Sequence, residues 1–245
     1  MKIILTLLFA MSLATAFSQE GENFSCQCCN SAVKQLAEGK TIPEVYVHFC
    51  GSGTGSGGLA SSYLKPTGTP PKVEGDPKEG AVDYSVLEAW TCRYAPGLIT
   101  DGDTKTAWVE GSKDYGVGEL VLVSCIDLKK PVQIWSGYGK SAAIFTQNSR
   151  PKKIKVMVVQ SDAGDPTQYG SWYRNVKVIK ESELELKDLN GFQSLVIPAF
   201  DVQSYKDKDQ NKREYNYFLG IVILDVYKGT KYSDTCISEV RNVPK

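Results

Sequence analysis

Histidine is almost missing from this chain: His48 is the only one in 245 residues. That scarcity argues against histidine-based catalytic triads and against multi-histidine metal sites. Net charge is missing too, because 28 acidic residues balance 28 basic ones. Such a balance argues against a dominant nucleic-acid or anionic-membrane role. Long apolar runs are confined to the first residues. Nothing later reaches the roughly 18 to 20 apolar residues that a membrane span needs.

What the chain does have begins with an export signal. Met1-Lys2 gives a short basic start, Ile3 to Ala10 is an apolar run, and small residues lead to Ala16-Phe17-Ser18. This reads as a secretory signal peptide over 1–18, cleaved between Ser18 and Gln19. The mature protein is expected to be soluble and secreted, periplasmic or cell-surface. Seven cysteines then read as disulfide material, with an odd one left over.

Four of those cysteines, Cys26, Cys28, Cys29 and Cys50, fall in a segment spanning 19–50. A short helix after Asn30 or Ser31 is expected there, stopped by Gly39, then an extended stretch ending at Cys50. The segment is too small for its own core, so two internal bridges would staple it. Cys26-x-x-Cys29 with His48-x-Cys50 also imitates a zinc set, although its spacing is irregular. Residues 51–58, "GSGTGSGG", contain G-x-G-x-x-G with no strand–helix unit around it. They read as a flexible linker.

From 59 to 243 the pattern is strands and turns. "GELVLVSCIDL", "KKIKVMVVQ", "RNVKVIK" and "YFLGIVILDVY" are rich in β-branched and aromatic residues, with Asp/Gly/Pro/Asn clusters between them. Lys153-Ile154-Lys155-Val156 alternates, as a strand with one wet and one buried face does. The predicted fold is all-β: an antiparallel jelly-roll sandwich with a small Cys-rich N-terminal segment.

Several stretches then occur in a telling order: "ASSYL" (60–64), "YAPGLITDGDTKTAWVEG" (94–111), "GVGE" (116–119), "SGYGK" (136–140), "NSRPKKIKV" (148–156) and "LDVYKGTKYSDTCISEV" (224–240). Together they resemble the discoidin-type, galactose-binding-like fold, and more narrowly the NADase-type glycan-binding domain. The resemblance covers roughly residues 59 to 242. It departs from the pattern at Cys125 and Cys236, where an aromatic and a small residue are expected. No NADase catalytic region is read in these residues, so no NAD chemistry is expected to carry over.

The loop "DGDTKTAWVEG" (101–111) is not an EF-hand. Counting from Asp101, Lys105 stands fifth, Thr106 sixth and Ser112 twelfth, where ligand, glycine and glutamate belong. The resemblance instead implies a structural calcium, held by Asp101, Asp103, Thr106 and, from the last strand, Glu239. The alternative is that both aspartates cap the turn through their own backbone amides. The resemblance also implies that the two ends of the fold lie together, which suggests a Cys92–Cys236 bridge and leaves Cys125 as the free buried thiol.

Trp108 and Trp90 are read as core. Sugar recognition needs exposed aromatic faces with polar groups beside them. The candidates are Tyr115, Trp135, Tyr138, Trp172, Tyr173 and Arg174, with Asn148 and Arg150 either serving a ligand or holding a loop. Trp172 has its own alternative, as a cover on the sandwich end. The favoured function is non-catalytic recognition of a glycan or another surface ligand through sandwich-end loops. An exported hydrolase using two carboxylates, and an envelope or adhesion protein contacting a protein partner, are the alternatives.

Overall fold

The computed structural model describes residues 26, 29–50, 58–73, 75 and 83–244. The expected signal peptide, Cys28 and nearly all of the expected linker (51–57) lie outside the described residues. In chain order the strands are β1 (Ile42–His48), β2 (Gly58–Ala60), β3 (Trp108–Val109), β4 (Leu120–Val123), β5 (Val132–Ser136), β6 (Arg150–Ser161), β7 (Asp165–Pro166), β8 (Gly170–Glu185), β9 (Gln193–Leu195), β10 (Ser204–Lys206), β11 (Lys212–Glu214), β12 (Asn216–Tyr227) and β13 (Cys236–Asn242). Short helices α1 (Lys34–Ala37), α2 (Ser85–Thr91) and α3 (Ala142–Gln147) sit between them.

The strands form two main sheets. The larger runs β1-β8-β6-β12-β4-β2, with β7 also pairing with β8; the smaller runs β3-β13-β5-β9. These pairings are antiparallel, and the fold is the expected all-β sandwich.

Between the sheets lies the first core. Ile154, Val156 and Val158 of β6 and Leu219, Ile221 and Ile223 of β12 meet Ile134 of β5 and Ile237 of β13 there. Trp108 is completely buried in this layer, as expected. Its indole N–H donates to the Ser62 carbonyl at 3.0 Å, which satisfies the one polar group that its burial would otherwise strand. Trp90, by contrast, is only half-buried at the end of α2, with the Arg93 guanidinium 5.9 Å from its ring.

A second core occupies the other face of the larger sheet. The sheet curls until its edge strands β1 and β2 approach one another. Val33 and Leu36 plug the curl, packed with Val45, Val47, Leu120, Met157 and Phe218. This explains a departure from the expected one-wet-face pattern. Lys153 and Lys155 reach solvent and pair with Glu183 and Glu181 across the strands. At the next positions on the same face, Met157 and Val159 are buried because the N-terminal segment lies over them.

The segment therefore does not stand apart. β1 is an edge strand of the larger sheet, in register with the first half of β8. Asn30 caps the turn before α1 by accepting a hydrogen bond from the Ala32 amide. Lys34 reaches Glu119 at 2.6 Å, and Ser61 and Ser62 donate to the same carboxylate. Burial pushes the Glu119 carboxyl up, but Lys34 and the two hydroxyls outweigh it and hold it below its ordinary range.

The disulfides correct the sequence reading. Cys26 bonds Cys92, and Cys50 bonds Cys125. Neither bridge closes within the segment, and Cys92 does not reach Cys236. Cys236 is the free buried thiol in place of Cys125. The physical reason is that β1 and the chain before α1 lie against the sandwich, which brings Cys26 and Cys50 to partners 66 and 75 residues away. The backbone at Cys29 forms an isolated parallel β-bridge with Ala60 of β2.

Candidate functional site

Two regions collect the candidate residues. The first is built on β13, whose polar residues each receive a different loop. Glu239 Oε2 accepts from the Gly102 amide at 3.2 Å, and Ser238 Oγ accepts from the Gly139 amide at 2.8 Å. Just ahead of the strand, the Thr235 hydroxyl donates to the Tyr115 carbonyl at 2.9 Å. The closing motif "YSDTCISE" is thus a staple for three loops.

The 101–106 loop is tightly turned upon itself. Asp101 Oδ1 accepts from the Asp103 amide and Asp103 Oδ1 from the Lys105 amide, both at 2.8 Å. The Thr106 hydroxyl lies 2.7 Å from both Asp101 Oδ2 and the Asp103 carbonyl. All four residues expected to ligate calcium are therefore brought together. Glu239 is 3% exposed, and its carboxyl is pushed up to about 8 by burial and by facing Asp101. Arg241 on the same strand turns elsewhere, over the Phe192 ring at 3.4 Å and onto Gln133. Among the described residues no three His, Cys, Asp or Glu side chains converge as a metal cluster. The donor set offered here is instead mixed: carboxylates, the Thr106 hydroxyl and backbone carbonyls. That is the hard-oxygen chemistry calcium accepts.

Trp135 and Tyr138 flank this loop. Trp135 is the register partner of Glu239 and meets Phe192 edge-on at 5.1 Å. Gly139 is wedged so closely between the Thr104 carbonyl and the Trp135 ring that a Cβ would lie under 3 Å from both. Tyr138 is half-buried and its phenol is pushed up to about 12, first by burial and then by Tyr94. Both rings are packed into the loop's support.

A carboxylate that sequence reasoning passed over lies next door. Glu110 is fully buried and accepts from the Ser112 amide at 2.7 Å and the Thr235 amide at 3.1 Å. Burial, opposed by those two amides, pushes its carboxyl up to about 7. Gly116, with φ +66°, rests against its side chain where no Cβ would fit. The signal in the sequence was the Trp-Val-Glu-Gly run itself, in which a glutamate stands in a strand of core residues.

Three other candidates lie around residues 228–235. Tyr115 carries Lys228 over its ring at 4.7 Å. Asn148 Nδ2 donates to the Ile144 carbonyl and closes α3. Arg150 is buried, forked onto Asp188 at 2.5 Å twice, and stacked over Phe145 at 4.7 Å. Asn148 and Arg150 hold loops.

The second region lies at the seam between β1 and β2. A cleft of about 600 Å³ opens there, its lining including Trp172, Tyr169, Glu44, Tyr46, His48 and Asn30. Trp172 is 41% exposed and Tyr169 59%. Tyr173 alternates to the opposite face, edge-on to Phe218 at 4.9 Å. Arg174 pairs with Asp165 and approaches Glu44.

No curated protein sequence matches the chain. Among solved structures it is similar to a mutant Ruminococcus gnavus GH29 fucosidase in complex with fucose, at 13% identity and a TM-score of 0.25. That match covers 67% of this chain and 32% of the fucosidase chain. The family model for the NAD glycohydrolase translocation F5/8 type C domain matches residues 81–242. This match takes in the smaller sheet, the larger sheet except β1 and β2, the 101–106 loop and its β13 staple, and the chain belongs to that discoidin-like family.

Proposed function

We propose that this chain is an exported, non-catalytic module that recognises carbohydrate, stiffened by a structural calcium in the 101–106 loop. The observation that carries the recognition reading is Trp172. A tryptophan 41% exposed on the face of β8, beside a second exposed aromatic and several polar groups, suits stacking against the apolar side of a sugar ring. The calcium reading rests on Glu239, a buried carboxylate that accepts from the Gly102 amide beside Asp101. A divalent cation there would neutralise both acids and tie the loop to the last strand. Membership of a binding-type domain family and two disulfides support an exported binding role. Among the described residues no helix is long and apolar enough to cross a membrane.

The test is a glycan array probed with the mature protein, together with thermal unfolding in calcium and in chelator. Reproducible binding to a glycan class without turnover is the expected result. Calcium should raise the melting temperature of the wild type but not of Glu239→Ala, because a ligand of the native state stabilises by mass action. Glycan hydrolysis abolished by one Asp or Glu substitution would instead establish the hydrolase, and binding to a protein partner alone would establish an adhesion role.

A further inference from the structure

The N-terminal segment contributes most of the lining of the cleft at Trp172, where exposed aromatics meet polar side chains, and it lies outside the family match at 81–242. β1 pairs with β8 so that Tyr46 stands directly opposite Trp172. Residues opposed in an antiparallel pair share a face, and the two rings meet at 5.1 Å with a 57° tilt. His48 closes the row, edge-on to Tyr46 at 5.1 Å. The Tyr46 hydroxyl lies 2.9 Å from Thr167 Oγ1, which fixes the ring. Val45 and Val47, on the other face, anchor the strand in the second core. The result is a rigid aromatic corner with Glu44 and Asn30 at its rim.

We infer that this cleft is the carbohydrate site of the protein: one pyranose ring stacks on Trp172 against Tyr46, with Glu44, His48 and Asn30 reading its hydroxyls. The inference rests on the carbohydrate-recognition reading above and moves the site from the sandwich-end loops to the seam. An aromatic pair presents a flat apolar surface, which matches the C–H face of a pyranose. Carboxylate, imidazole and amide groups supply both acceptors and donors for its hydroxyls. The two halves are held in register by the disulfides, since Cys26–Cys92 and Cys50–Cys125 fasten the chain on either side of β1.

The experiment compares wild type, Trp172→Ala, Tyr46→Ala, Tyr46→Phe and Tyr138→Ala on one glycan array, with circular dichroism and melting curves for each. Trp172→Ala and Tyr46→Ala should each weaken binding by at least about tenfold, as loss of a central aromatic anchor does. Tyr46→Phe keeps the ring and should stay within about threefold of wild type, showing that a loss in Tyr46→Ala is not misfolding. Tyr138→Ala, in the other region, should bind as wild type. Binding that survives both alanine variants and is lost in Tyr138→Ala would overturn the seam site while leaving carbohydrate recognition standing. Wild-type protein that binds no glycan at all would overturn both.

Discussion

The acidic loop at Glu239 and the aromatic seam at Trp172 differ in how they are assembled. The loop is local: Asp101, Gly102, Asp103 and Thr106 fold onto one another, and a single residue from β13 closes them. The seam is made by strand pairing, with β1 contributing Tyr46 and His48 and β8 contributing Trp172 from a distant part of the chain. The loop is supported by the inter-sheet core and the seam by the second core, which the N-terminal segment plugs. The two should therefore fail separately.

The largest effect should erase the comparison altogether. Trp108 stands under the loop in the inter-sheet core, and Trp108→Ala leaves a cavity where an indole was, at a cost of about 3–5 kcal/mol. Denaturant unfolding should show the loss, with calcium response and ligand binding falling together.

Removing the Cys50–Cys125 bridge by a double serine substitution should separate the regions. A bridge across 75 residues constrains the unfolded chain, and its loss typically costs about 2–4 kcal/mol. Ligand affinity should fall because β1 is freed at one end, while the calcium-dependent rise in melting temperature persists. Equal loss at both regions would show that they are one unit.

A smaller effect should come from pH. Glu239 and Glu110 titrate at about 8 and about 7 in the fold, above the ordinary value of 4.5. Groups raised on folding stabilise most when protonated, so their contribution is complete below about pH 4.5 and lost as pH rises through 7 and 8. In chelator the melting temperature should decline across that window. Calcium should oppose the decline by favouring the ionised Glu239, and Glu239→Gln should remove the part due to that residue. A flat profile in chelator would contradict the buried-acid account.

Much of the fold was legible because β-branched runs and Asp/Gly turns are local signals. Lys153-Ile154-Lys155-Val156 announced its pleat correctly, yet Met157 could not announce that its face would be covered by α1. The four loop residues were legible as a motif, whereas Glu110, Ser238 and Thr235 act through backbone amides that no spacing reveals. Disulfide pairing was misread for the same reason. Cys26 and Cys50 look like a local set until the N-terminal segment is known to lie against the sandwich. Tyr46 looked like an ordinary strand residue, because its partner Trp172 is set by register alone.

The most direct measurement is the affinity of the array-selected glycan for wild-type protein in calcium and in chelator, at a temperature where both forms are folded. The loop and the seam lie on different sheets, so the affinity should be the same in both conditions. Loss of binding in chelator, with the fold intact, would mean that the sugar sits at the 101–106 loop, and the seam would not be the binding site.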